Sequence, residues 1–344
     1  MKFDLNPKLV TIATRKFPVA VTVAVVSSAL VFSGVTSAQA DDPIQVVKQA
    51  ITNATPTSVG HAAIVQPRTS AKTVVAFAKG GERVTVPTDP TDGIKLSSDS
   101  GSFTVHLPNA RNANHAEAVS DGTVAYDNKD DSFTVPVVVS DGSVQINTVI
   151  ESAAAPSTFK YTFDLPPGGS IVAGSKGSYT IVDGGGGWVA GIAPAWAKDA
   201  NGVDLKTSYV VDGSTLVQVV AVPKDAAYPI VADPWLGFDT IDHTKWVNTW
   251  QYSPTLQVFP TWWGRYTGVA ANGEAWNEVV SKTSTNRSSV TTAAMRVQFD
   301  CHWYAVRVYA PNKPSWDLDT KLPNTSLANE INYGCNYPSG KREF

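Results

Sequence analysis

The chain has 344 residues, of which 43% are hydrophobic and only 17% are charged, and its formal net charge at pH 7 is −3. This length is enough for a large core and for more than one domain. The acidic balance argues against a protein that binds nucleic acid or anionic membranes, because both kinds of binding depend on a basic surface. We therefore expect no nucleic-acid partner.

The first forty residues have the three parts of a secretory signal. Four basic side chains precede an apolar stretch at residues 17–32, and small residues at 38–40 end in Ala40 before Asp41. The apolar stretch is too short and wrongly flanked for a stable membrane span. We predict a signal peptide over 1–40, cleavage between Ala40 and Asp41, and a secreted, extracellular or envelope-associated protein. The mature chain would carry 23 basic and 29 acidic residues, a net charge of −6, and no transmembrane segment.

Residues 41–72 predict a short helix from Pro43 to Ala50, followed by a polar linker. From 73 to 234 the pattern changes to short alternating segments separated by Asp-Gly and Asn-Gly dipeptides, which are typical of β-hairpins. The segments VPVVV and VQINTVI flank a turn at 140–143 and predict the sharpest hairpin. We predict an all-β module here, either an antiparallel sandwich or an elongated sheet.

Residues 235–344 predict a second module, which is small, α+β and rich in tryptophan. Eight of the ten tryptophans and both cysteines lie in it. Two strands are expected near 243–252 and 256–261. A short helix is expected at 274–282, and an amphipathic helix over 289–309.

Cys301 and Cys335 are the only cysteines. In an oxidising compartment an even pair is most simply one disulfide, although a free thiol or a metal ligand is the alternative. The sequence has no CxxC or HExxH spacing, so we predict no metal site and no cofactor.

The C-terminal module resembles a known family. The segments TLQVFPT, EAWNEV, MRVQFDCHW, PNKPSWDLD and YGCNYPSGKREF are similar, in this order, to a secreted actinobacterial family known as domain of unknown function 2599, over about 241–344. The chain departs from the family pattern at Asp317, where Asn is usual, and at Tyr337, which is inserted before the proline. The segments YPIVADP and PAWAKDANG of the middle module resemble a recurring region of exported actinobacterial proteins, which implies a stalk. Neither resemblance implies an activity.

Cys301 and His302 together suggest a nucleophile and its base. Neighbours on a helix point about 100° apart, however, so His302 is badly placed to deprotonate Cys301. His302 could instead be a general acid or base with Arg265, Glu278 and Arg307. The alternative is a hydrogen-bonded histidine of the core.

Trp262 and Trp263 are candidate binding residues, together with Trp316 and Lys313. If Trp262 and Trp263 lie on a strand, their rings point to opposite faces, so at least one should be exposed and able to contact a sugar ring or a lipid headgroup. The alternative is that the tryptophans fill a small core.

These observations favour a non-enzymatic binding module outside the cell, with a cell-wall or cell-surface component, such as a glycan, as its partner. The alternative is an envelope-targeting hydrolase or antibacterial effector with its site in the C-terminal module. A structural surface protein is a third hypothesis. The oligomeric state and the ligand are left open by the sequence.

Overall fold

A computed structural model describes residues 42–55, 72–79, 81–120, 122–174, 176–248, 252–266 and 271–338. The predicted signal peptide, its cleavage site at Ala40 and Asp41, and the linker at 56–71 lie outside these residues. From Asp41 to Phe344 the chain forms one compact unit. The proposed boundaries near 72 and 234 therefore stay predictions.

Helix α1 (Pro43–Ala54) confirms the predicted N-terminal helix and extends it by one turn. It begins where the Asp42 carboxylate accepts a hydrogen bond from the Ile44 N–H, and Pro43 supplies a backbone angle suited to the first turn. Ile44, Val47 and Ile51 are buried on one stripe. This spacing makes α1 an amphipathic cover for another element.

Within the described residues, twenty strands follow α1, and all of their pairings are antiparallel. The strands are β1 (Thr73–Lys79), β2 (Glu82–Pro87), β3 (Ile94–Ser98), β4 (Gly101–His106), β5 (Glu117–Ser120), β6 (Thr123–Asp127), β7 (Ser132–Val138), β8 (Val144–Ile150), β9 (Thr158–Asp164), β10 (Ser170–Ala173), β11 (Tyr179–Val182), β12 (Trp188–Ile192), β13 (Trp196–Lys198), β14 (Thr207–Asp212), β15 (Thr215–Val220), β16 (Ile230–Asp233), β17 (Trp235–Gly237), β18 (Ile241–Val247), β19 (Thr255–Pro260) and β20 (Trp316–Asp319). The predicted hairpin is confirmed as β7 and β8, whose residues pair from Ser132–Ile150 to Val138–Val144.

Two large sheets share one apolar core. The seven-stranded sheet has the order β1-β2-β3-β4-β9-β15-β14, and the ten-stranded sheet runs β10-β11-β12-β17-β8-β7-β6-β5, with β13 and β16 joined beside β8. Phe103 and Phe163 from the first sheet lie in the same buried cluster as Ile146 and Ile181 from the second. The two sheets therefore pack face to face, as in a β-sandwich.

The outer face of the ten-stranded sheet is covered by α1. Val47 and Ile51 pack against Phe133, Val135 and Val149 in a second apolar cluster. This cover explains why every residue of β7 and β8 is buried, since an uncovered strand would alternate between buried and exposed positions.

The C-terminal part combines the three-stranded sheet β18-β19-β20 with short helices. The helices are α2 (Trp262–Tyr266), α3 (Asn272–Lys282), α4 (Arg287–Val290), α5 (Ala293–Cys301), α6 (Arg307–Tyr309) and α7 (Leu327–Asn332). The predicted helix over 289–309 is correct in type but is broken, with a π-helical turn at His302–Val306 between α5 and α6. Trp188 of β12 belongs to the apolar core of this C-terminal part. The C-terminal part therefore packs directly against the sandwich.

Cys301 and Cys335 form the predicted disulfide, with a Cα–Cα distance of 5.6 Å. Both residues are buried, and the bond ties the end of α5 to the segment after α7. A thiol nucleophile at Cys301 is thereby excluded, because its sulfur is bonded to Cys335.

Candidate functional site

Three tryptophans from separate elements line an open groove of about 450 Å³. Trp196 lies on β13, Trp235 on β17 and Trp262 at the start of α2, and each is half-buried. The end of α1 closes one side of the groove through Ala54 and Thr55. A cavity of this size with aromatic walls and few polar groups is typical of a small-molecule site.

Trp262 and Trp263 have different surroundings, although they are neighbours in sequence. They lie on a short helix and not on the assumed strand. Trp263 is 2% exposed and packs edge-on against Trp235, with 5.2 Å between ring centroids. Trp262 contacts Trp235 at 6.3 Å and Tyr266 at 5.1 Å, and lines the groove. Trp263 therefore forms the buried base of the aromatic cluster, and Trp262 is the member of the pair whose ring is accessible from the groove.

Two glycines make room for Trp263. A Cβ atom on Gly237 would lie 2.2 Å from the indole Nε1, and one on Gly191 would lie 2.6 Å from the indole Cε3. Such distances are far inside van der Waals contact, so the backbones of β12 and β17 can approach the ring only because both residues lack a side chain.

Gln145 and Lys198 are among the polar residues that line the groove, and each is paired with a carboxylate. The amide Nε2 of Gln145 donates to the Asp233 carboxylate at 2.6 Å. Burial raises the pKa of Asp233 to about 7, against the opposing effect of this hydrogen bond. Lys198 forms an ion pair of 2.8 Å with Asp204 and lines the groove as a cation.

His302 lies in the core and not at a surface. It is fully buried, its Nδ1 is 2.9 Å from the backbone oxygen of Gln298, and its ring lies 6.3 Å from that of Trp316. Because a carbonyl can only accept, Nδ1 carries the proton. Burial, and then the charge of Lys313, lower the pKa of His302 to about 3, so the ring is neutral.

Arg265 binds the loop 311–315, and Arg307 donates to the carbonyl of Gly264, the residue before Arg265, at 3.4 Å. The Arg265 guanidinium donates to the carbonyls of Pro311 at 2.8 Å, Lys313 at 2.6 Å and Pro314 at 3.1 Å. Arg307 lies over the Trp303 ring at 4.2 Å, and burial lowers its pKa to about 10. Arg265 is thus engaged with the backbone of this loop, and Arg307 with the Gly264 carbonyl and the Trp303 ring.

Lys313 belongs to this loop, and Trp316 follows it at the start of β20. Trp316 is fully buried and packs against Phe299 and Trp303. Burial lowers the pKa of Lys313, with Asp317 and Asp319 acting in the opposite direction. Neither residue lines the tryptophan groove.

Glu278 lies in a different place, on α3, away from the loop 311–315. Its carboxylate accepts hydrogen bonds from the backbone N–H groups of Thr240 at 2.9 Å and Ile241 at 2.8 Å, and from the Thr240 hydroxyl at 2.8 Å. It lines a cleft of about 620 Å³ with Glu82, Asp239 and Lys282. The residues proposed as a catalytic set therefore do not meet at one site, because His302 lies in the core, Arg265 binds the loop 311–315, and Glu278 lines this cleft.

Sequence reasoning missed Trp196, Trp235 and Gln145 in the groove, and Glu82 and Asp239 in the cleft. The only signals for the two tryptophans were the segments PAWAKD and DPW. Within the described ranges, no three His, Cys, Asp or Glu side chains are grouped so that they could hold a metal ion. Over the same ranges, no helix has the length and apolar character needed to cross a membrane.

The family described as "Protein of unknown function (DUF2599)" matches residues 241–338. The uncharacterized protein Rv0477 of Mycobacterium tuberculosis is 36% identical over 154 residues, which cover 41% of this chain and 100% of that relative. The chain belongs to the DUF2599 family. A further relative, the uncharacterized protein ML2452 of Mycobacterium leprae, is 31% identical over 99 residues, which cover 28% of this chain and 76% of its own length. The family resemblance inferred from the sequence is thus confirmed, and the matched relatives are mycobacterial.

Proposed function

We propose that this DUF2599 protein is exported and acts outside the cell as a non-enzymatic module that binds a cell-wall or cell-surface glycan. The observation that carries the proposal is the groove lined by Trp196, Trp235 and Trp262. A pyranose ring has an apolar C–H face that can pack on an indole and a rim of hydroxyls that need polar partners. Trp262 offers such a face, and Lys198 offers a donor at the edge of the groove.

Export is supported by the signal pattern of residues 1–40, the single disulfide and the acidic mature chain. Recovery of the protein from culture fluid or envelope fractions with an N-terminus at Asp41, measured by mass spectrometry, would support it. A protein retained in the cytoplasm with residues 1–40 intact would overturn this part.

The binding proposal is tested with residues 41–344, which form one compact unit. Retention on purified mycobacterial cell walls and affinity for soluble cell-wall glycans are measured for the wild type and for Trp262→Ala. An aromatic anchor at the centre of a site contributes about 2 kcal/mol or more to the binding free energy. We therefore expect Trp262→Ala to bind at least roughly 30-fold more weakly than the wild type.

Tyr309→Ala is the matched control, because Tyr309 is an aromatic residue that is 70% exposed and lies outside the groove. It should bind as the wild type does. A folded wild type that binds none of the walls or glycans, or a Trp262→Ala variant that binds equally well, would contradict the proposal. Release of soluble wall fragments by the wild type would instead favour the hydrolase alternative.

A further inference from the structure

The cleft that contains Glu278 lies between two distant parts of the chain. One side is the β1–β2 hairpin at Gly81 and Glu82, with the β3–β4 turn beside it, and the other is segment 238–241 with α3. Glu82 and Asp239 are 157 positions apart in sequence and meet only through the fold. Contacts across this cleft therefore connect the sandwich to the C-terminal part.

Segment 238–241 is held by α3 through charged side chains. Lys282 Nζ lies 2.5 Å from Asp239 Oδ2, 3.7 Å from Glu278 Oε2 and 2.6 Å from the backbone oxygen of Ile241. The Lys282 ammonium therefore contacts two carboxylates and a carbonyl. Glu278 also accepts hydrogen bonds from the backbone N–H groups of Thr240 and Ile241. Burial and the charge of Asp239 raise the pKa of Glu278 to about 7, against the lowering effects of Lys282 and these N–H groups.

Glu82 adds a third carboxyl group from the other side. Its side chain lines the same cleft as Asp239. Burial, and then the charge of Asp239 and a hydrogen bond with it, raise the pKa of Glu82 to about 7, while Lys282 opposes the shift. Two carboxyl groups can share a hydrogen bond only if one carries a proton. Glu82 is thus the donor when it is protonated, and Asp239, which is paired with Lys282, is the acceptor.

The remaining charged groups near Glu82 do not neutralise a second negative charge. Lys79 pairs with Glu82 in the β1–β2 hairpin, but its Nζ donates to the Ser140 carbonyl at 3.0 Å. The other charged residues that line the cleft are carboxylates, namely Asp99 at the β3–β4 turn, and Glu274 and Glu278 on α3.

We propose that Glu82, Asp239 and Lys282 form a proton-dependent clasp, which closes the cleft between the β1–β2 hairpin and segment 238–241. When Glu82 releases its proton to solvent, the hydrogen bond to Asp239 is lost. Three carboxylates then face the single ammonium of Lys282, and the repulsion between Glu82 and Asp239 favours a wider cleft.

The direction of the pH effect follows from the raised pKa of Glu82. The closed form binds the proton of Glu82 more tightly than the open form does. The clasp is therefore complete below the ordinary glutamate pKa of 4.5, and it is lost as the pH rises through about 7. The ammonium of Lys282 has a raised pKa and stays charged throughout this range.

The clasp connects to the helix that carries Trp262. The Thr261 hydroxyl donates to the Asp239 carbonyl at 2.7 Å, and the Thr261 N–H donates to the Thr240 carbonyl at 3.0 Å. Segment 238–241 therefore anchors the start of α2. The clasp itself does not depend on what the groove binds.

The test compares hydrogen exchange of the Thr240 and Ile241 amides in the wild type and in Glu82→Gln at the same pH, so that intrinsic exchange rates cancel. The side-chain amide of this variant can still donate to Asp239 but cannot ionise. At pH 5.5 the two proteins should exchange alike, and at pH 8.5 the wild type should exchange about 3- to 10-fold faster, as expected for a proton lost from a partly exposed acid. Glu274→Gln is the control, because Glu274 lines the same cleft, is half-buried and accepts a hydrogen bond from Asn277 on its own helix. It should behave as the wild type at both pH values.

Equal exchange in the wild type and Glu82→Gln at pH 8.5 would overturn the clasp. If Glu82→Gln does not fold, the titration of the Glu82 carboxyl carbon in the wild type, followed by NMR, gives an independent result. A midpoint near 7 supports the clasp, and a midpoint near 4.5 overturns it.

Discussion

Gly237→Ala is a one-methyl change that tests how tightly Trp263 is enclosed. Gly237 does not have a positive φ, so alanine can adopt its backbone conformation without strain. The new Cβ would nevertheless lie 2.2 Å from Nε1 and 2.4 Å from Cε2 of the Trp263 indole. The whole cost of the substitution is therefore steric, and the backbone angle contributes none of it.

The magnitude follows from what surrounds the ring. The indole cannot slide along the sheet toward β12, because Gly191, the pairing partner of Gly237, already lies close to its six-membered ring. Overpacking in a closed site costs about 3 kcal/mol at the upper end of its range. If Trp263 were expelled instead, the loss would approach that of removing a buried tryptophan, about 3–5 kcal/mol. We expect the free energy of unfolding to fall by about 3–5 kcal/mol.

Urea unfolding followed by far-UV circular dichroism measures this change. Gly273→Ala is the control, because a Cβ at this position in the first turn of α3 has no atom within 4 Å. That variant should lie within about 1 kcal/mol of the wild type, on the stabilising side, because alanine favours a helix. In a Trp263→Leu background Gly237→Ala should cost at least about 1 kcal/mol less. The steric explanation would be refuted if Gly237→Ala were as stable as the wild type. It would also be refuted if the substitution lowered the free energy of unfolding equally in the wild type and in Trp263→Leu.

Two further predictions concern the C-terminal core. Replacing both Cys301 and Cys335 by alanine should lower the free energy of unfolding by about 3–4 kcal/mol, as expected for a disulfide between residues 34 positions apart. The change is measured by urea titration without reductant, and a loss below about 1 kcal/mol would contradict this prediction. His302 has a lowered pKa of about 3, so its contribution to stability is complete above pH 6.5 and is lost as the pH falls toward 3. Between pH 7 and 4 the wild type should therefore lose about 3 kcal/mol more than His302→Gln, and parallel stability curves for the two proteins would show that His302 is not held neutral.

The β-module was predictable because its signals are local. Asp-Gly turns such as Asp141–Gly142 fix where strands end, and alternating residues fix which face is buried. The burial of both faces of β7 was not predicted, because it depends on α1, about eighty residues earlier in the chain. The uninterrupted VPVVV run was the one local hint that the strand is covered on both sides.

The candidate site was predictable only in part, because its residues meet through long-range packing. Trp262 was identified from its position beside Trp263, but a five-residue helix is too short to show a period, so the assumption of a strand was natural. Trp196 reaches the groove through the pairing of β13 with β16, which no local pattern specifies. No local pattern specifies the contact between Glu82 and Asp239 either, because it forms only when the fold brings the two sides of the cleft together.

The groove draws its tryptophans from both sides of residue 234, with Trp196 before it and Trp235 and Trp262 after it. Different elements position these rings, because Trp196 depends on the pairing of β13 with β16, Trp235 on the pairing of β17 with β8, and Trp262 on α2. A substitution that shifts any one of these elements therefore changes the shape of the groove without replacing a residue that lines it.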